Sequence, residues 1–375
     1  MNQEQPVYSS QQHPDPLPGM PVAGSTTGSP PTFPTPQQHP GQSPYPAPAY
    51  GQPRYPAPAY GPLGPPVWRD PLPPAGTEYH RFFRTPRNAW WKGVVAIGSF
   101  IVGYLLITSA LTVAAMIIDF ATGRAAWESV SSGAIEFTPA LFLATNLGNA
   151  LAIPLAMLVQ WLVWGQPVRW LHSVTGYVRW RLMARCALIV VPLWVAYMVI
   201  SAVAFPAAAG TSAGGHVTGE SIALLIIMLL TTPLQAAGEE YGTRGLIMRA
   251  AGSWTASPLP GLIIAALVPS VIFMLAHRAG DPWLNAYFFV FGVTMSVLAW
   301  RTGGLEAGIV VHAVNNMLAF GIVILAGQEI NLDRSAGVGG AFMLVPIAAL
   351  LVVTAVLVLL AQRWQVRRTY QPIAG

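Results

Sequence analysis

The sequence predicts an all-α fold: a polytopic membrane helix bundle of about eight transmembrane helices, preceded by a disordered, proline-rich N-terminal tail. Three observations predict it. Of 375 residues, 53% are apolar and only 9% are charged, whereas a soluble domain carries charge on about a quarter of its residues. Eight apolar segments recur, each close to the ~20 residues an α-helix needs to cross ~30 Å of hydrocarbon. The basic residues gather at one set of segment ends, the asymmetry of a membrane protein with a fixed orientation.

The tail comes first. Residues 1–79 are dominated by Pro, Gly, Gln, Ser and Tyr, and the heptapeptide YPAPAYG at Tyr45 recurs at Tyr55. Such composition buries too little apolar surface to fold and favours extended polyproline conformations. It is read as a disordered cytoplasmic spacer, with docking to a proline-reading partner module as the alternative. No basic stretch followed by an apolar one opens the chain, so no cleaved signal peptide is expected. Residues 80–375 are assigned to the transmembrane bundle.

The apolar segments run roughly over 93–118, 139–164, 184–205, 221–251, 261–277, 282–300, 305–325 and 340–361. The fourth is long enough to break near Gly242 or Gly245. The fifth and sixth are short and tightly linked, which leaves room for a re-entrant or tilted pair. Pro154, Asn146 and Asn149 in the second, Pro192 in the third and Pro269 in the fifth take a structural reading, since neighbouring helices satisfy freed polar groups in a bundle. Cys186 is the only cysteine, which rules out an intrachain disulfide or a cysteine metal cluster.

Arg81, Arg84, Arg87 and Lys92 flank Trp90 and Trp91 ahead of the first segment. Arg169, Arg179, Arg181 and Arg185 follow the second, Arg301 the sixth, and Arg363, Arg367 and Arg368 the eighth. The opposite loops hold only Arg124, Arg278 and Arg334, with the acids Asp119, Glu128, Glu136, Asp281, Glu329 and Asp333. The positive-inside rule then puts both termini in the cytoplasm of a multi-pass cell-membrane protein. The net charge of +5 sits at helix ends and gives no reason to expect a nucleic-acid partner.

Function is read from Glu239, Glu240 and Arg244, three charges inside an apolar run. Ionisable groups at that depth cost roughly 2.5–3.5 kcal/mol each, so they face cavities and serve a function. Glu240 and Arg244 are four apart, acid first, and share a helix face as an ion pair. Glu239 points about 100° away, free in a low-dielectric pocket that suits it to act as a general base.

Two further stretches break the apolar pattern: Phe273 with His277, and His312 with Asn316, each pair four apart on one face. At 1.5 Å per residue, Glu239 lies about 18 Å from the turn near Gly252, His277 about 24 Å up the next helix, and His312 and Asn316 about 12 and 18 Å along theirs. All four reach one membrane layer to within a turn. A carboxylate and an imidazole there can deprotonate a water, and a second imidazole with an amide can stabilise an oxyanion. Asn315 points off the His312 face, and Glu306 suits a helix start; both are read as structural.

These three motifs, in this order on separate membrane helices, resemble those of the CPBP intramembrane proteases, which include the CAAX-protease, abortive-infection and bacteriocin-processing enzymes. The resemblance covers about residues 200–325. It implies an all-helical membrane fold with a cavity open to the cytoplasm and endopeptidase activity near the end of a lipidated or membrane-associated peptide or protein. It also implies that Glu239 with His277 activates water, that His312 and Asn316 form the oxyanion site, and that Glu240 and Arg244 support them. A metal-free mechanism on Glu239 is favoured, because the HExxH signature is absent; a divalent metal such as zinc stays open as the alternative, with Glu239, His277 and His312 as its ligands. The rival readings are an idle family member acting as an immunity or scaffold protein, and a proton-coupled transporter using the same residues as a relay.

Overall fold

The computed structural model describes residues 71–125, 137–205, 215–328, 330 and 333–372. The YPAPAYG near-repeat and the loop acids Glu128, Glu136 and Glu329 lie outside the described residues. Among the described residues there is no strand, and eight helices are long and apolar enough to cross a membrane. They are α1 (Trp90–Ala121), α2 (Pro139–Trp164), α3 (Trp180–Ala204), α4 (Gly219–Gly252), α5 (Pro258–Ala276), α6 (Pro282–Thr302), α7 (Glu306–Leu325) and α8 (Ala341–Arg363).

Their ends follow local chemistry. Thr138 accepts from the Leu141 N–H to open α2, Thr218 and Ser221 form a reciprocal capping box on α4, and Asp281 accepts from Trp283 and Leu284 to open α6, each satisfying amides that the first turn leaves unpaired. Gly165 and Gly303 end α2 and α6 in the left-handed conformation that glycine adopts without penalty. Because α5 and α6 are 19 and 21 residues long, each can span the hydrocarbon on its own, and no re-entrant pair is needed.

The fourth helix does not break. Between Gly219–Glu240 and Met248–Gly252, residues Tyr241–Ile247 form a π-helix, a distortion that recurs at functional sites. Gly238 just before it packs so closely on α2 that a Cβ would strike the Asn149 backbone carbonyl. This close approach carries the acidic motif into the bundle.

The described ends of the chain share one face of the bundle. Gly76 and Thr77 exchange backbone hydrogen bonds with Tyr370 at 2.8 Å, and residues 71–83 pack there, ahead of α1. Tyr79, Phe82 and Phe83 are buried around the guanidinium of Arg249, which lies 5.2, 4.7 and 4.2 Å from their ring centroids. Among the described residues Arg249 has no carboxylate partner; it donates to Gln160, Gln166 and the Trp170 carbonyl. On the same face Glu306 accepts from Arg179 at 2.6 and 2.9 Å, so its place at the helix start serves an ion pair as well as the dipole. This terminal face gathers Trp90, Trp164, Trp180, Pro258, Thr302, Glu306 and Arg363. The opposite, distal face carries the turns tied by Thr138 to Asp119 (2.6 Å), by Gly280 to the Arg334 carbonyl (2.8 Å) and by Gly337 to Asp281 (2.9 Å).

Between the faces, α4 lies against α2 and α7, α5 against α6, α3 against α7, and α8 against α6. α1 sits outermost and exposes Leu106 and Ile117 along its length, as a lipid-facing helix does.

Candidate active site

Three helices bring the acidic, histidine and asparagine motifs together. Glu239 and Glu240 come from α4, His277 from the end of α5, and His312 and Asn316 from α7; Glu239, His277, His312 and Asn316 all line one cavity of about 330 Å³.

His312 stands at the centre. Its Nδ1 lies 2.9 Å from Glu240 Oε1, and its Nε2 lies 3.5 Å from Glu239 Oε2. Neighbouring acids on one helix therefore reach opposite nitrogens of a single ring. Glu240 also accepts from Arg244 at 3.1 Å, and Arg244 donates onward to Thr243 Oγ1 at 2.7 Å and to the Gly292 carbonyl at 3.0 Å. Glu240 and Arg244 are almost wholly buried, whereas 19% of the Glu239 side chain remains exposed. Arg244 thus partners Glu240 as the spacing suggests, and Glu239 is the acid that faces the cavity.

Glu239 is not without partners. It accepts from Gln235 Nε2 one turn earlier, and Gln235 Oε1 accepts from Asn316 Nδ2 at 3.0 Å. Asn316 in turn accepts from Asn315 Nδ2 at 2.9 Å, and Asn315 from the Tyr287 hydroxyl at 3.1 Å. One hydrogen-bonded chain therefore runs from Tyr287 to Glu239 across α6, α7 and α4. Asn315, read from helix phase as structural, is a member of it and lines the cavity. Asn146 and Asn149 of α2 also line the cavity; Asn146 donates to Thr231 and Thr232, and Asn149 accepts from Tyr104 at 2.7 Å.

His277 is held differently. Its Nδ1 lies 2.8 Å from the Phe273 carbonyl, which can only accept, so Nδ1 carries the proton and Nε2 presents a lone pair in the neutral ring. The ring stacks on Phe288 at 3.9 Å. Phe273 lies under the Arg244 guanidinium at 4.9 Å and stacks on Phe291.

Gln235, Tyr287 and Arg334 are site residues that motif reading missed. Gln235 had a signal, an amide four residues ahead of Glu239 in an apolar helix. Tyr287 and Arg334 had none: they arrive through the packing of α6 and through the loop after α7. Arg334 donates to the His277 carbonyl at 2.7 Å.

The donors proposed for a metal do not converge. Phe273 and Glu240 occupy Nδ1 of His277 and of His312, which leaves Nε2 of each ring, yet among the described residues no three His, Cys, Asp or Glu side chains stand together as a metal site.

The cavity opens away from the terminal face. Its walls include Phe137 before α2, Phe320 late in α7, and His277 and Arg334 at distal turns. Toward the terminal face lie buried Glu240, Arg244, Leu246 and Ile247.

Glu239, Glu240, Arg244, His277, His312 and Asn316 thus come together from three membrane-length helices. Residues 220–318 match the family model described as type II CAAX prenyl endopeptidase Rce1-like, a segment that holds every motif residue from Glu239 to Asn316. Over 100 residues the chain is 30% identical to the uncharacterized protein YyaK of Bacillus subtilis (strain 168), a match that spans 25% of this chain and 32% of that protein. No solved structure matches the chain.

Proposed function

We propose that the chain is an intramembrane endopeptidase that hydrolyses a peptide bond near the end of a membrane-associated or lipidated peptide or protein. The observation that carries this reading is the His312 ring set between Glu240 and Glu239, 2.9 and 3.5 Å away, in a cavity shared with His277 and Asn316.

A water held between Glu239 and His277 gives up a proton to this pair as its oxygen attacks the peptide carbonyl. The lone pair on His277 Nε2 follows from the Phe273 carbonyl at Nδ1 and suits the ring to that task. The oxyanion is met by an N–H at Nε2 of a His312 ring whose Nδ1–H is given to Glu240, both nitrogens then donating, and by the Asn316 amide hydrogen that Gln235 does not use. Collapse of the tetrahedral intermediate breaks the C–N bond, and the amine leaves with the proton that the water surrendered. Glu240 and Arg244 fix the His312 ring, as a buried acid orients a catalytic imidazole. The walls of Phe142, Phe288, Phe291 and Phe320 suit apolar side chains beside the scissile bond. No step is assigned to zinc, because the donors do not converge.

The chain is proposed to sit in the cell membrane with its terminal face in the cytoplasm, since Arg84, Arg179, Arg301 and Arg363 lie at that face and the distal face carries few cations. Purified protein in proteoliposomes, offered quenched-fluorescence peptides, tests the activity. Peptide cleavage is the expected result; proton-coupled uptake without cleavage would overturn it in favour of a transporter.

A further inference from the structure

We propose that the cavity receives its peptide from the extracytoplasmic side of the membrane, so that the substrate is a polypeptide segment that has already been exported across the bilayer. This deepens the endopeptidase reading and rests on it.

Two expectations drawn from the sequence meet here and conflict. The cation pattern puts the termini in the cytoplasm, and the family resemblance implies a cavity open to the cytoplasm. In this fold the described ends of the chain and the cavity mouth lie on opposite faces, so one of the two must fail.

Length fixes the depth of the mouth. α5 has 19 residues from Pro258 at the terminal face to Ala276, or about 28 Å at 1.5 Å per residue. That nearly uses up the ~30 Å of hydrocarbon, so His277, the next residue, emerges close to the distal membrane surface. Arg334 reaches the same level through its 2.7 Å bond to the His277 carbonyl, and its guanidinium lies 5.3 Å from the Phe288 ring centroid. A second, wider depression at that surface shares His277 and Arg334 with the cavity and is lined by Arg278, Gly280, Asp333 and Ser335. Glu239 is thus reached from distal solvent past His277 and Arg334 at the mouth and through the phenylalanine-lined cavity behind them.

The route from the terminal face is closed. Arg244 and Leu246 are wholly buried and Glu240 is 1% exposed. Below them the Arg179–Glu306 pair and the Arg249 aromatic cluster fill the space between the helices. A cytoplasmic chain end would have to unpack buried ion pairs to reach Glu239 and would leave uncompensated buried charge behind.

The cation count favours keeping the orientation. The terminal-face segments hold Arg81, Arg84, Arg87 and Lys92, then Arg179, Arg181 and Arg185, then Arg363, Arg367 and Arg368, against Arg124, Arg278 and Arg334 at the distal face. Orientation follows such a bias in loops next to the spans.

Single-cysteine accessibility in the full chain tests the route without requiring activity, because the native Cys186 is buried. Ser335→Cys marks the mouth, and Ala256→Cys, at an exposed position between α4 and α5, marks the terminal face. With a membrane-impermeant maleimide, Ser335→Cys is expected to label in intact cells and Ala256→Cys only in inverted vesicles. The reverse pattern overturns the access route while leaving the protease reading intact. Protein termini that appear with the wild-type chain and vanish with Glu239→Gln are expected to map to extracytoplasmic segments. Termini that map to cytosolic segments overturn the proposal, and the absence of any Glu239-dependent termini overturns the protease reading on which it rests.

Discussion

His312 Nδ1 and Glu240 Oε1 are 2.9 Å apart, and the same oxygen lies 3.1 Å from Arg244 Nη1. One buried oxygen therefore serves two partners: it balances a guanidinium and it sets the angle of the imidazole that faces Glu239. Replacing Glu240 by Gln removes the charge and keeps the shape. Arg244, wholly buried, is left without its carboxylate, and breaking one side of a buried pair costs about 3–5 kcal/mol. The variant is expected to melt at a lower temperature and to lose about 10²-fold in kcat, measured by thermal unfolding in detergent and by peptide cleavage.

Gln235 ties Glu239 to Asn316, and so joins the proposed base to the proposed oxyanion donor. Gln235→Leu keeps the volume and removes both hydrogen bonds. Because the amide positions other groups and does not itself take the proton, kcat should fall about tenfold while KM changes little. Equal losses in kcat and in unfolding midpoint would show a packing role only.

Arg249 lies outside the cavity and carries stability. It is fully buried, caged by Tyr79, Phe82 and Phe83, and has only neutral oxygens as acceptors. Arg249→Lys keeps the charge but cannot reproduce the planar fork or the stacking. Both Arg249→Lys and Arg249→Ala should lower the unfolding midpoint, and cleavage per folded molecule should be unchanged.

His80, beside that cluster and ahead of α1, has its pKa lowered by burial from 6.5 to about 4, against an opposing pull from Glu78. The unfolded chain binds the proton more tightly, so the stability from keeping this ring neutral is complete above about pH 6.5 and is lost as pH falls toward 4. Thermal melts across that range should show a falling midpoint, and His80→Phe should flatten the fall.

Much of this architecture was legible because the signals are local. Eight apolar runs, the i,i+4 pairing of Glu240 with Arg244 and the shared face of His312 and Asn316 all follow from helix period and length. What was not legible depends on how helices meet. The π-helix at Tyr241–Ile247 replaces the break expected near Gly242 or Gly245, because Gly242 packs on Phe100 inside a continuous helix. Asn315 joins the site through Tyr287, a contact that only the placement of α6 creates. Arg334 comes from a loop whose composition carries no motif. The direction in which the cavity opens also had no sequence signal, since counting residues gives depth and does not show which end of a bundle is sealed.

The most direct test of the central claim is the cleavage rate of Glu239→Gln against wild type in proteoliposomes, with thermal unfolding measured on the same samples. The account predicts a loss in kcat of about 10²–10⁴-fold with the unfolding midpoint nearly unchanged, because Glu239 faces the cavity and the direct contact with buried Arg244 is made by Glu240. Cleavage by the variant at the wild-type rate would contradict it.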